Sequence, residues 1–151
     1  MVVFCNEQNQ NIVLSTVNYQ FPDSNDKEYD GNWLQIKIEV SDTDHKWENT
    51  DPFLLSYDWL EISNWFNDLS QFHQSRRKDL GFIEPNIEFQ LVNFSKQNNQ
   101  IEFNIQLNLE CIPTFLKGKD DVKYHFVFTS EKCKEISTLC EKEYERFPER
   151  K

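Results

Sequence analysis

The side chains in this sequence with the chemistry for catalysis or metal binding are a few histidines, cysteines and paired carboxylates. The histidines are His45, His73 and His125, and no two of them have the four-residue spacing of a helical metal-binding pair. The sequence has no nucleophile elbow of the G-x-S-x-G type. Its three glycines form no phosphate-binding loop. These residues predict no catalytic site, no metal site and no cofactor.

The four cysteines stand at positions 5, 111, 133 and 140, and no two of them form a C-x-x-C pair. Their spacing fits neither a zinc site nor a small disulfide framework, so we expect reduced thiols and a cytoplasmic protein. The first residues lack the basic start and the long apolar run of a secretory signal. No segment approaches the roughly 20 apolar residues of a membrane span.

Paired carboxylates are frequent in a chain with 26 acidic residues, and pairs arise there by chance. The pair Asp42-x-Asp44 lacks the glycine and the distal glutamate of a calcium loop. General acid and base catalysis needs two carboxylates in different environments of one cleft, which a sequence does not reveal. An enzyme that uses an acidic cleft on a cationic or sugar substrate therefore stays as an alternative.

The negative charge is concentrated in one part of the chain. The net charge is -10, and residues 23–61 contain eleven acidic residues and three lysines. Such a surface repels phosphate, which argues against nucleic acid and anionic membranes as partners and favours a basic protein. The charge either keeps the protein soluble or forms a docking surface. Under the second interpretation the candidate contacts are Asp23, Asp26, Glu28, Asp30, Asp42, Asp44, Glu48 and Asp51.

The elements that position these side chains are predicted to be mostly strands. The chain has no alanine, the best helix former, and 15% of its residues are aromatic. Alternating apolar residues predict strands over 12–21, 33–40, 46–55, 87–94, 101–109 and 124–128. Helical spacing predicts helices over 56–73 and 130–147. The prediction is a single domain, 1–151, of α+β class: a mainly antiparallel β-sheet of about six strands packed with two helices. No internal repeat is visible.

Several local features follow from the same patterns. Ser56 and Ser130 are predicted to cap the two helices. Pro52 cannot donate to a strand ladder, so its strand is predicted to be an edge strand or a bulged one. A slip in the alternation after Leu91 predicts a second bulge. The alternation also assigns to apolar faces the side chains of Val17, Tyr19, Phe21 and Leu109.

An ordered series of short motifs resembles the WapI-like immunity proteins of bacteria. The motifs run through nearly the whole chain, and the resemblance depends on their order more than on any one of them. They are Tyr19-Gln20-Phe21-Pro22, Asp30-Gly31-Asn32-Trp33-Leu34, Trp47, Asp51-Pro52-Phe53-Leu54-Leu55, Trp59-Leu60, Trp65, Phe82-Ile83-Glu84-Pro85-Asn86, Glu110, Pro113 and Phe147-Pro148-Glu149-Arg150.

The resemblance implies a cytosolic antitoxin that binds the C-terminal nuclease domain of a contact-delivered or secreted toxin. It transfers no catalytic residues to this chain, and its shared motifs are expected to be architectural. A nuclease must attract phosphate and is therefore expected to be basic, which fits an acidic inhibitor that steers a fast encounter. A scaffold or adaptor for another partner stays as an alternative, and the sequence leaves the oligomeric state open.

Overall fold

Two four-stranded antiparallel sheets and two helices make up the computed structural model, which describes residues 1–23 and 30–150. The α+β class is confirmed, and the described residues form eight strands instead of about six. The two additional strands, β1 and β5, are too short to show an alternating pattern in sequence. The elements are β1 (Val2–Cys5), β2 (Asn11–Tyr19), β3 (Trp33–Ser41), β4 (Lys46–Leu55), α1 (Asp58–Ser70), β5 (Asp79–Leu80), β6 (Ile87–Ser95), β7 (Gln100–Leu107), β8 (Val122–Phe128) and α2 (Ser130–Arg146).

The chain consists of two halves with the same element order. Strands β1 to β4 form the first sheet in sequence order and are followed by α1, and β5 to β8 form the second sheet and are followed by α2. Consecutive strands are neighbours in each sheet, and every pairing is antiparallel. The sequence shows no repeat, yet the fold contains this ββββα unit twice.

The inner faces of both sheets and the two helices share one apolar core. The predicted alternation is confirmed in β3, where Leu34, Ile36, Ile38 and Val40 are fully buried. Phe4 of β1 joins the halves, because its ring lies 5.8 Å from the ring of Phe66 in α1 and 5.9 Å from that of Phe89 in β6. The helices pack against each other, with Ser63 Oγ 2.9 Å from Ser137 Oγ.

Both predicted bulges are present. The register between β3 and β4 shifts around Pro52, and β4 is an edge strand of the first sheet. The register between β6 and β7 shifts between Leu91 and Asn93. A further shift follows Thr16 in β2, which turns Val17 to the outside, so the predicted burial of Val17 is wrong.

Two other apolar assignments are also wrong. Phe21 follows the end of β2 and is 47% exposed. Leu109 lies beyond the end of β7 in a 3-10 turn with φ +52°, and it is 58% exposed. Tyr19 packs against the core as expected. The alternation of apolar residues misleads at Phe21 and Leu109, because each of them lies past the last paired residue of its strand.

Neither helix has the predicted cap. Helix α1 starts at Asp58, and no described side chain caps it, because Ser56 is fully buried and its hydroxyl donates to the carbonyl of Asn32 at 3.4 Å. In α2 the cap is Thr129, whose Oγ1 accepts from the N–H of Lys132 at 3.1 Å. The hydroxyl of Ser130 donates instead to the carbonyl of Ser70.

Candidate functional site

The acidic residues predicted from the sequence do not form one patch. Asp26 and Glu28 lie outside the described residues. Asp23 and Asp30 lie at the end of the first sheet where β2 leads into β3. Asp42 and Asp44 lie at the opposite end of β3, about 30 Å away for a strand of this length. Glu48 and Asp51 occupy opposite faces of β4, because they are three residues apart in a strand.

At one end of the first sheet, Asp42 shapes the β3–β4 turn. Its Oδ1 accepts from the N–H groups of Asp44, at 2.8 Å, and His45, at 2.7 Å. These two backbone bonds, that of Asp44 foremost, lower the pKa of Asp42. The ring of His45 stacks on Phe115 at 4.6 Å. Asp42 also lines a small groove whose other charged lining residues are Lys119, Lys123, Asp120 and Asp121, so this end carries charges of both signs.

The outer face of the first sheet is also electrically balanced. Lys37 Nζ lies 3.3 Å from Glu48 Oε2 and 3.7 Å from Glu39 Oε1. The bond to Glu48, followed by the charges of Glu39 and Glu48, raises the pKa of Lys37. Glu48 is therefore already paired with a cation of the same sheet.

Asp51 faces two carboxylates that the sequence analysis did not identify as site residues. Burial, followed by the charges of Glu110 and Glu84, raises the pKa of Asp51. Asn86 Nδ2 donates to Glu110 Oε2 at 3.1 Å, and Asn49 Nδ2 donates to the carbonyl of Glu110 at 3.1 Å. We call Asp51, Glu84 and Glu110 the carboxylate triplet. No described cation forms an ion pair with any of the three.

An open groove of about 400 Å³ lies between the start of α1 and the segment 80–83. We call it the helix groove, and Asp58, Glu61 and Arg77 are its ionisable lining residues. Asp58 is 5% exposed, and its Oδ2 accepts from the N–H of Leu55 at 2.8 Å. Burial raises the pKa of Asp58 to about 6. Ile83, at the rim, is 54% exposed and directly precedes Glu84.

The loop between β2 and β3 is held at its base by the segment 147–150. Tyr19 OH donates to the carbonyl of Pro148 at 2.5 Å, and the Arg150 guanidinium lies 3.9 Å from the centre of the Tyr19 ring. Asn32 Oδ1 accepts from the N–H of Arg150 at 2.6 Å. We call these contacts the clasp. Asp23 and Asp30 lie at the two ends of the loop that the clasp holds.

The clasp, the helix groove and the carboxylate triplet follow one another along the side of the molecule where β4 is the edge strand. Asn32 of the clasp accepts from Ser56 N–H at 2.9 Å, and Tyr57, which follows Ser56, lines the groove. At the other side of the groove Ile83 leads into Glu84 of the triplet. We call the whole the β4-edge surface. It contains three of the predicted acids, Asp23, Asp30 and Asp51, and adds Glu61, Glu84 and Glu110.

The sequence offers little signal for the added acids. Glu84 and Glu110 stand in two of the short motifs that the resemblance marks as architectural, and nothing local shows that these distant segments meet. Glu61 stands in none of the motifs, and its side chain is exposed on α1.

Cysteine and metal chemistry gain no support from the geometry. Cys5 is exposed, whereas Cys111, Cys133 and Cys140 are buried, and burial raises the pKa values of Cys111 and Cys133 to about 12. Within residues 1–23 and 30–150, no three His, Cys, Asp or Glu side chains form a group that could hold a metal ion. No helix in those ranges is long and apolar enough to span a membrane.

The described residues thus form an α+β protein of two ββββα halves with open grooves and acidic rims. The profile of the immunity protein WapI-like family matches residues 3–148, which is nearly the whole chain. The chain belongs to this family. A search of curated proteins finds no match. Among solved structures, the chain is similar to one titled "Structure of the plant transcriptional regulator PBF-2", with 8% sequence identity, a TM-score of 0.49, and coverage of 97% of this chain and 81% of that chain.

Proposed function

We propose that this immunity protein neutralises the basic toxic domain of a cognate toxin, a nuclease, by binding it in the cytoplasm through the β4-edge surface. Membership in the family supports an immunity role and a toxin partner. The net charge of -10 supports the choice of a basic partner. A nuclease fits best, because its active site must attract phosphate, and carboxylates can take the place of that charge.

The single observation that carries the choice of surface is the uncompensated carboxylate triplet. The like charges of Glu110 and Glu84 act on Asp51, and no described cation forms an ion pair with any of the three carboxylates. A lysine or arginine of the toxin would supply that cation. In contrast, Glu48 pairs with Lys37, and Asp42 is bonded within its own turn.

Exposed apolar side chains next to the triplet offer the apolar contacts that a protein interface needs besides its charges. Ile83 and Leu109 are 54% and 58% exposed, and they flank Glu84 and Glu110 in sequence. Apolar contacts surrounded by charged residues are typical of protein interfaces, where the charges guide the encounter and the apolar groups hold the complex.

The test is the rate at which the chain associates with the toxic domain of its cognate toxin. The triple variant Asp23→Lys, Glu61→Lys and Glu84→Lys reverses three charges of the β4-edge surface. We expect its association rate at low salt to fall by about 10- to 100-fold, with a weaker dependence on salt. The matched control, Glu102→Lys, Glu135→Lys and Glu145→Lys, makes the same charge change in the second half and should slow association by less than about threefold.

The remaining predicted contacts are tested by the double variant Asp44→Lys and Glu48→Lys. We expect a small effect on association, because these residues lie away from the β4-edge surface. Equal losses in the two triple variants would show that only net charge matters and would contradict the surface. A wild-type chain that binds no toxin domain would contradict the function itself.

A further inference from the structure

We infer that the helix groove receives one arginine side chain of the toxin, whose guanidinium pairs with the carboxylate of Asp58. The inference rests on the proposed function and deepens it, because it names a residue type of the partner and the place where that residue binds. The groove lies between the start of α1 and the segment 80–83, both of which belong to the described part of the chain.

The carboxylate of Asp58 has one oxygen without a described partner. Its Oδ2 accepts from Leu55 N–H at 2.8 Å, whereas no group within residues 1–23 and 30–150 bonds to Oδ1. Asp58 is only 5% exposed, and no fully buried side-chain oxygen of the described residues lacks a hydrogen bond. Oδ1 therefore reaches the open space of the groove. A carboxylate that is buried to this degree and bonded at one oxygen favours a donor from outside.

The electrostatics of Asp58 favour a donor that carries a positive charge. Burial is the main cause that raises its pKa to about 6, while the bond from Leu55 N–H lowers the pKa and the charge of Glu61 raises it. A cation beside Asp58 would lower this pKa again, because it stabilises the anion. Glu61 is exposed three residues further along the same face of α1 and lines the same groove. A guanidinium has donors enough for both carboxylates.

The opposite occupant, an anion, is disfavoured although a cation and a helix start border the groove. Arg77 is the one basic residue among the described lining, and it forms no ion pair with Asp58 or Glu61. A helix start attracts anions through its free N–H groups. The N–H groups of residues 59–61 already donate to carbonyls of residues 56–57, at distances of 3.0 to 3.3 Å. The free acceptor of the groove is thus the carboxylate.

The apolar walls of the groove fit the stem of a long side chain. Leu80 is buried, and the ring of Phe82 is held in place 6.4 Å from the ring of Phe89 in β6. Ile83 is 54% exposed at the rim. The volume of about 400 Å³ lies within the range of small-ligand pockets. Arginine buries its methylene stem along apolar surface while its charged end reaches polar groups, which is the combination that this groove offers.

The experiment measures the protons released when the toxic domain binds at about pH 6, by calorimetry in two buffers of different ionisation enthalpy. About half of the free Asp58 is protonated there, so the wild-type chain should release up to about half a proton more than Asp58→Asn. The asparagine variant should also bind about 10- to 100-fold more weakly at neutral pH. The control Asp51→Asn removes another carboxylate whose pKa is raised by burial, and it should keep the proton release that Asp58 supplies.

A second variant determines the sign of the charge that enters the groove. Arg77→Gln removes the cation of the lining, while the main-chain carbonyl of residue 77 still accepts from Trp65 Nε1, at 3.0 Å. Binding of the toxic domain should become about two- to fivefold tighter, because a repulsion between like charges is removed. Weaker binding by Arg77→Gln, together with tighter binding by Asp58→Asn, would show that an acidic group enters the groove and would overturn the inference.

The toxin residue is identified by a double-mutant cycle with Asp58→Asn. One arginine-to-alanine variant of the toxic domain should weaken binding to the wild-type chain and cause little further loss with Asp58→Asn. Coupling to no arginine would overturn the inference, and so would equal proton release or equal affinity in the wild type and Asp58→Asn; in each of these cases a tight wild-type complex leaves the proposed function intact. A wild-type chain that binds no toxic domain would overturn the proposed function, and the inference with it.

Discussion

The two ββββα halves share an element order but differ sharply in charge. Residues 1–75 contain 13 acidic and 3 basic residues, whereas residues 76–151 contain 13 acidic and 13 basic residues. The whole net charge of the chain therefore belongs to the first half. Since both halves contribute to one core, the difference cannot come from the needs of folding alone. The difference fits the proposal that the surface of the first half binds the toxin.

The outer faces of the two sheets also differ in the side-chain bonds that they contain. In the first sheet Lys37 pairs with Glu48, so the face is held by charges. In the second sheet Gln90 Nε2 donates to Gln106 Oε1 and to Glu88 Oε1, each at 2.8 Å, and Gln106 Nε2 donates to Asn108 Oδ1 at 3.1 Å, so amide side chains form most of the bonds named here. Because both faces are internally satisfied, the surplus charge of the first half lies at its loops, its edge and its helix.

The largest effect tests whether the two halves fold as one unit. Phe4→Ala removes a fully buried ring that contacts α1 and the second sheet. We expect a loss of about 3–5 kcal/mol in the free energy of unfolding. All four tryptophans lie in the first half, so their fluorescence reports on that half, and amide exchange in β6 to β8 reports on the other. The two signals should change together, whereas separate transitions would show that the halves unfold independently. The control is the exposed Val92→Ala.

The second-largest expected effect concerns the start of α1, where the free energy of unfolding should depend on the protonation of Asp58. The pKa of Asp58 is about 6 in the folded state, above its ordinary 3.8. Folding therefore favours the protonated form of Asp58. Its contribution to the free energy of unfolding is fully present below pH 4 and is lost as the pH rises through about 6. The loss approaches about 3 kcal/mol for a shift of two units. Asp58→Asn keeps an acceptor for Leu55 N–H and should remove this dependence. Parallel stability curves for the two proteins between pH 4 and 8 would contradict it.

The third effect, at the start of α2, should not depend on pH. Thr129→Ala removes the side chain that accepts from Lys132 N–H. Loss of such a cap costs about 1 kcal/mol. The matched control is Thr138→Ala in the same helix, where an exposed hydroxyl bonds back to Lys134 and where alanine is the better helix former. A larger loss in the control than at Thr129 would show that the cap does not stabilise the helix.

The smallest effect distinguishes the two outer faces by their response to salt. Glu48→Gln removes the partner of Lys37, and its slight destabilisation should disappear at about 1 M salt, where charges are screened within about 3 Å. Gln106→Leu removes amide contacts of the second sheet, and its effect on unfolding should be the same at low and high salt. Equal salt responses would show that the two faces are not held by different forces.

The sequence predicted the long elements because their side-chain periods are clear. The alternation in β3 and β7 and the apolar stripe of α1 correspond to buried faces. Strand β1 was missed because four residues show no period, although its Phe4 is central to the core. The caps were assigned to the wrong residues because serine is common next to helices, and the fold decides which hydroxyl faces the free N–H groups.

The candidate site was harder to predict than the fold, because it depends on which distant segments meet. Charge counting located the acidic half but gave equal weight to Asp42, whose carboxylate shapes a turn, and Asp51, which belongs to the carboxylate triplet. The pairing of Glu48 with Lys37 follows from the register of β3 and β4, which the sequence alone does not fix. The contacts of Arg150 have no local signal in the sequence, since its partners lie about 120 positions earlier.

The bulge at Pro52 has a consequence for the protein at high concentration. An unpaired edge invites strands of other molecules to add to it and seed aggregates. In β4 the irregular register at Pro52 interrupts the ladder, and proline lacks an N–H to donate. Asn49, a few residues before the bulge, donates its side-chain amide to the Glu110 carbonyl, so a neighbouring segment lies against this edge. An incoming strand would find only a short regular stretch, which favours separate molecules over fibrils.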